Sequence, residues 1–282
     1  MSNRIPIIKT YKLAIGGKFP RTESGRTIQV HDASQNLVAH VCHGSRKDLR
    51  NAVEAATKAQ SGWANATAYL RGQVLYRLAE MMEGKRLELA EAIGKDGSKE
   101  IDAAVDRVVH FAGWTDKYAQ VMGGTNPVAG PYHNFTIPFA MGTVGVIAPD
   151  EPSLLGLVSL VAPVIAAGNA CVVLASEQNP VPAMILAEAI ATSDLPGGVV
   201  NLLSGYRDEL VEHFSSHREL IAIHAAGVSD EHRGLLRVGS SDNLKRVTVH
   251  DEINFFDDTI CEGPQWIDPF VEMKTIWHPS AV

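Results

Sequence analysis

A chain of 282 residues, 45% hydrophobic and 20% charged, is long enough for one large or two ordinary domains with full cores. A formal net charge of −7 and a pI near 5.9, without any basic cluster, exclude a nucleic-acid partner and an acidic membrane surface, which both call for a basic face. The three cysteines, Cys42, Cys171 and Cys261, form no Cys-x-x-Cys pair and have no histidine at ligand spacing. The expectation is therefore no disulfide framework, no metal site and a reducing, cytoplasmic location.

The opening residues Met1 to Lys9 lack the apolar core of a signal peptide and the Arg/Ser-rich character of a transit peptide. Tyr11–Ile15, Gly16-Gly17 and Lys18-Phe19-Pro20 predict a strand–turn–strand, and Leu37–Val41 a further short strand. From Ser45 to about Val121 apolar residues recur every three or four positions, a helical array broken near Gly62, Gly84 and Gly94. Gly123-Gly124 and Pro127 end it. Tyr132–Ala140 and Thr143–Ala148 then read as strands around Met141-Gly142. Residues 152–176 carry no charge and are long enough to span a bilayer, but Pro163 and Gly168-Asn169 divide them into a buried helix and a buried strand.

A regular alternation follows. Val144–Ala148, Ala170–Leu174, Val199–Leu203, Leu220–His224 and Arg246–His250 are strands separated by helix-length segments, Pro180–Ser193 being the clearest helix. Such spacing means βαβ units: an α/β, Rossmann-like doubly wound parallel sheet, preceded by N-terminal helices, with ligands expected beyond the carboxyl ends of the strands. In the final segment, Phe270, Glu272, Lys274 and Ile276 alternate with Val271, Met273, Thr275 and Trp277 between Pro269 and Pro279, the pattern of an edge strand.

Several segments, in order, resemble the aldehyde dehydrogenase family. Ala14-Ile-Gly-Gly-Lys18, Asp102-Ala-Ala-Val-Asp106 with Phe111-Ala-Gly-Trp114, Gly145-Val-Ile-Ala-Pro149, Ala166-Ala-Gly-Asn169, Ser176-Glu-Gln178 and Leu195-Pro-Gly-Gly-Val-Val-Asn201 follow at the family's intervals. The likeness runs from about residue 10 to 255 and resumes near 270, where the last strand is similar to the family's closing strand, which adds to a neighbour's sheet. The resemblance implies an NAD(P)-binding fold and oligomers. It also implies a truncated, degenerate member without the catalytic-cysteine domain, since only a short connector separates residue 255 from that strand.

Against the family's motifs, the chemistry is missing. Asp150-Glu151 stands where the family has Trp-Asn, whose amide donates to the developing oxyanion; a carboxylate opposes that charge. Leu174-Ala-Ser-Glu177 replaces Lys-Pro-Ser-Glu, so the cation of the ribose clamp is gone and Glu177 is the one candidate cofactor-binding residue. A helix-start charge is its alternative role. Where the family has Phe-Thr-Gly-Ser, this chain reads Ile223-His-Ala-Ala-Gly227 and then Ser229-Asp-Glu231, an N-cap whose acidic residues already occupy the dipole that would face a pyrophosphate. His224 reads as a strand-end histidine satisfied by backbone. His250 sits where the family's base stands, but the double glycine beside it is absent. Cys261 lies too near in sequence to serve as the family's nucleophile, and Glu262 beside it is expected to raise its pKa. No catalytic residue is assigned, and the cofactor is undetermined, NAD or NADP being held weakly if at all.

The expected layout is a cofactor-type domain in two parts, 1–129 and 143–258, with oligomerisation strands in 130–142 and 266–280 making a small protruding sheet. The expected function is a catalytically inactive assembly or accessory subunit, a homo-oligomer or a hetero-oligomer with a full-length aldehyde dehydrogenase. Alternatives are a nucleotide-binding regulatory module, or an NAD(P)-dependent oxidoreductase that works only with a complete partner subunit.

Overall fold

The computed structural model describes residues 5, 7–32 and 34–280, so the reading of the first residues lies largely outside what is described. Three short strands open the chain, β1 (Lys9–Tyr11), β2 (Thr27–His31) and β3 (Leu37–Cys42), in the order β1-β3-β2. The expected hairpin around Gly16-Gly17 is reduced to a bridge between Ile15 and Lys18, because Ala14 pairs instead with Leu202 in the main sheet. β2 has no counterpart in the sequence reading, since its apolar alternation extends only over Ile28 and Val30.

The helical array consists of α1 (Arg46–Ala64), α2 (Ala68–Gly84), α3 (Arg86–Ile93), α4 (Gly97–Trp114) and α5 (Tyr118–Met122). α1 starts with a capping box, in which the Ser45 hydroxyl accepts from the Asp48 N–H and the Asp48 carboxylate accepts from the Ser45 N–H. β4 (Gly124–Thr125) and β5 (Tyr132–Ala140) then lead into the alternating part. This comprises β6 (Thr143–Ile147), α6 (Leu155–Ala166), β7 (Ala170–Leu174), α7 (Val181–Ile190), β8 (Val200–Leu203), α8 (Arg207–Ser216), β9 (Leu220–Ala226), α9 (Asp230–Ser241) and β10 (Arg246–His250).

Its five strands are all parallel, in the order β10-β9-β6-β7-β8. The chain builds outward from β6 in one direction, then returns to β6's other side with β9. The gap between β6 and β9 is therefore the switch point at which such sheets hold ligands. Helices cover both faces, which is why β6, β7 and β8 are buried throughout and read as unbroken apolar runs. The uncharged stretch forms α6 and β7, wholly inside the protein. Among the described residues no helix is long and apolar enough to cross a membrane.

After β10, residues 251–270 form one short helix, α10 (Asp258–Cys261), and two single 3-10 turns before β11 (Val271–Pro279). β11 pairs antiparallel with β5 from Val271↔Ala140 to Pro279↔Tyr132, in a third sheet of order β11-β5-β4. Asn169, fully buried between α6 and β7, fastens this sheet to the body. Its side-chain oxygen accepts from the N–H groups of Met141 and Gly142, and its amide nitrogen donates to the carbonyls of Val164 and Phe270. The connector is pinned by Arg107 of α4, itself buried. Its guanidinium donates to the Ser159 hydroxyl at 2.6 Å and, each at 3.0 Å, to the Phe255 carbonyl and the Asp258 carboxylate.

Candidate functional site

At the carboxyl end of β6 the chain turns through Pro149, and opposite it β9 ends at Gly227, whose φ of +61° suits glycine. A Cβ on Gly227 would come within 3.1 Å of the Pro149 Cβ, so the two turns nearly touch at the switch point. Beside them lies a crevice of about 440 Å3 lined by Asp150, Glu177, Arg207, Asp208, Ser229 and His232, among others.

The charges in this crevice satisfy one another. Arg207, at the first position of α8, donates to both oxygens of Asp150 at 2.6 and 3.0 Å and to the Ala148 carbonyl at 2.8 Å. Asp150 also accepts from the N–H groups of Glu177 and Gln178. Burial pushes the Asp150 carboxyl up, but the Arg207 guanidinium and these two N–H groups outweigh it and hold the pKa below its ordinary value. The Glu177 carboxylate accepts from the Arg207 N–H at 2.9 Å and so supports the start of α8, not that of the helix that follows Glu177 itself. His232 Nε2 lies 2.8 Å from Asp208, and the Ser229 hydroxyl caps α9 by accepting from the His232 N–H.

A dinucleotide's pyrophosphate entering here meets the carboxylates of Asp150, Glu177 and Asp208, while Arg207 and the His232 ring are already paired with two of them. Asp230 and Glu231 add negative charge in the first turn of α9, where free N–H groups would otherwise attract phosphate. The residues present do not fit a tightly held dinucleotide. Arg207 is the central residue of this crevice and sequence reasoning missed it. Nothing local signals it, for its partner Asp150 is 57 residues away.

Glu151 lies on a neighbouring groove of about 1150 Å3 that also includes Glu100. Glu100 accepts from the N–H groups of Leu154 and Leu155 at the start of α6, and its burial, together with nearby Glu151, raises its pKa. Neither acid offers a donor to a developing oxyanion when ionised.

The two histidines come together. His224 Nδ1 donates to the Leu160 carbonyl at 2.9 Å, so its Nε2 accepts from His250 Nε2–H at 2.9 Å. The His250 ring stacks on Trp266 at 4.2 Å, and Phe270 packs on His224. Burial pushes the His224 pKa far below its ordinary value, aided by His250, and burial likewise lowers that of His250. Only Nδ1 of His250 remains uncommitted.

All three cysteines are buried. Burial alone pushes Cys171 up. Burial raises Cys261 too, with Arg107 opposing it. Glu262 is not the cause, since it points to His110 at 3.0 Å and to Arg107 at 3.5 Å.

Fold and crevice together define a doubly wound α/β protein that carries a separate three-stranded sheet. The sequence pattern of the aldehyde dehydrogenase family matches residues 19–251, and the chain belongs to that family. It is 31% identical to the mitochondrial benzaldehyde dehydrogenase of Antirrhinum majus over 249 residues, 84% of this chain and 46% of the relative. It is 30% identical to omega-crystallin of Enteroctopus dofleini over 258 residues, 88% of this chain and 51% of that one. The aldehyde dehydrogenase of Bacillus cereus, solved as an NAD+ complex, superposes with a TM-score of 0.81 at 28% identity, covering 86% of this chain and 51% of that one. The chain thus spans about half the length of the curated relatives it matches.

Proposed function

We propose that this chain is an assembly or accessory subunit of aldehyde dehydrogenase fold, working through its projecting sheet and without oxidising aldehydes itself. The observation that carries the proposal is the outer edge of β11, the end strand of the β11-β5-β4 sheet, whose backbone groups have no strand beside them among the described residues. A long, unpaired edge exposing Met273, Ile276 and Trp277 is a template for another chain unless something covers it. The segments 130–142 and 266–280 are the oligomerisation parts in this reading. Further support comes from the burial of all three cysteines and from the pairing of Asp150 with Arg207 in the crevice, neither of which suits a thiolate nucleophile or an oxyanion donor. The test is native mass spectrometry of the chain purified mildly from its own cell. The expected mass is a multiple of 30.4 kDa, or a complex containing a larger aldehyde dehydrogenase subunit. A lone monomer at micromolar concentration, or aldehyde-dependent NADH formation by the pure chain, contradicts the proposal.

A second reading, a weak nucleotide-binding module, rests on the crevice at the switch point and on Glu177. It requires a thermal shift at millimolar NAD(P)(H) that Glu177→Ala abolishes; no shift at that concentration removes it.

A further inference from the structure

We propose that the edge of β11 is built to pair with β11 of a second copy of this chain, antiparallel and centred on Thr275. The inference rests on the strand-edge reading above and names its partner.

In an antiparallel strand the N–H and C=O of one residue point to the same side, and successive residues alternate sides. The N–H of Ser280 donates to the Pro131 carbonyl at 2.8 Å, so the even-numbered residues of β11 face β5. The Val271 carbonyl accepts from Arg246 Nη1 at 2.7 Å, so the odd-numbered residues face outward. The hydroxyls of Thr275 and Thr136, 2.8 Å apart, agree with a close, non-hydrogen-bonded pair at that register. The groups left for a partner strand are therefore the N–H and C=O of Met273, Thr275 and Trp277, together with the Pro279 carbonyl, since the Val271 N–H already donates to the Asp268 carbonyl.

A two-fold axis at Thr275 satisfies the groups of Met273, Thr275 and Trp277. Thr275 exchanges both bonds with its own copy, and Met273 exchanges both with Trp277 of the second copy. At the ends Val271 and Pro279 face each other and need exchange no bond: proline has no N–H, and Val271 already has its N–H on the Asp268 carbonyl and its own carbonyl filled by Arg246.

The side chains agree. Glu272 faces His278 across the seam, and Lys274 faces Ile276. Met273 lies beside Trp277, and these two are 44% and 58% exposed in the isolated chain. Neighbouring registers are worse. Centring on Lys274 sets two ammonium groups opposite each other and brings the Trp277 N–H to the carbonyl Arg246 holds. Centring on Ile276 puts Lys274 against His278 and leaves the Met273 carbonyl facing Pro279.

The substitution Thr275→Pro tests this directly, because the Thr275 N–H points away from β5 and its loss breaks no backbone bond within the chain; Thr275→Val controls for the hydroxyl contact with Thr136 that is lost as well. The expected result is circular dichroism and melting temperature matching those of Thr275→Val, with self-association weakened at least about 100-fold relative to that control. In a companion scan, Thr275→Cys gives an intermolecular disulfide on oxidation, the native cysteines being buried. Nitroxides placed through Glu272→Cys and His278→Cys each report separations near 20 Å, six residues of strand. If association survives Thr275→Pro, both the strand-edge reading and its two-fold form are overturned. If Thr275→Pro dissociates the assembly but the scan has no symmetric minimum at 275, only the two-fold is overturned. A chain that stays monomeric at tens of micromolar, yet binds a larger aldehyde dehydrogenase subunit in a manner sensitive to Thr275→Pro, likewise overturns self-pairing and leaves the edge reading standing.

Discussion

The switch-point crevice and the projecting sheet are opposites in one respect. In the crevice Asp150, Glu177, Arg207, Asp208 and His232 all find partners within the chain. Along β11 an outward row of backbone groups finds none among the described residues beyond those at Val271, whose carbonyl accepts from Arg246 and whose N–H donates to Asp268. A ligand entering the crevice must displace existing bonds, whereas a strand arriving at β11 makes new ones. The free energy available for binding therefore lies at the sheet edge, away from the place where the fold ordinarily binds small molecules.

The largest expected effect breaks the crevice and spares the sheet. Arg207→Met leaves Asp150 without its cation and costs about 3–5 kcal/mol in a urea titration, most of it recovered by adding Asp150→Asn, with the oligomer mass unchanged once folded. Asn169→Ala, which removes the joint between body and sheet, costs on the order of 3 kcal/mol by orphaning buried groups. It also speeds amide exchange in β5 and β11 ahead of the body.

Acid sharpens the comparison through His224 and His250. Their folded pKa values lie below 6.5, so beneath that pH the unfolded chain binds protons that the folded chain refuses. Stability is therefore complete above the ordinary histidine range and falls as pH drops through it towards the depressed folded values. Trp266 and Phe270, packed on the two rings, tie that loss to the connector leading into β11. His250→Phe flattens the dependence, as measured by urea midpoints between about pH 7.5 and 5.5. The smallest effect is Glu177→Gln, which weakens one bond at the start of α8 and costs less than about 1 kcal/mol.

The sheet was legible in the sequence because buried parallel strands are short apolar runs whose limits need no knowledge of the rest of the chain. Ala170–Leu174 matches the observed strand in this way, Arg246–His250, half-exposed at the sheet's edge, matches by its alternation instead, and the Ser229 cap forms as its sequence implies. The closing strand was legible too, by its alternation, and its bounds shift by one or two residues to Val271–Pro279. What could not be read is who neutralises whom. Arg207 and Asp150 are far apart along the chain, and Glu262, a sequence neighbour of Cys261, bonds His110 instead. The pairing of His224 with His250 depends on β9 and β10 being adjacent, and no local pattern encodes strand order. The outward direction of Thr275 likewise follows only from its register with β5.

The most direct test of assembly at the sheet edge is amide hydrogen exchange at Met273, Thr275 and Trp277 over a concentration series of the purified chain. Fast exchange is expected when the chain is dilute and strong protection of these three when it is concentrated, with the body of the sheet unchanged. Exchange that remains fast at concentrations where the chain is oligomeric would place the interface elsewhere and contradict assembly at this edge.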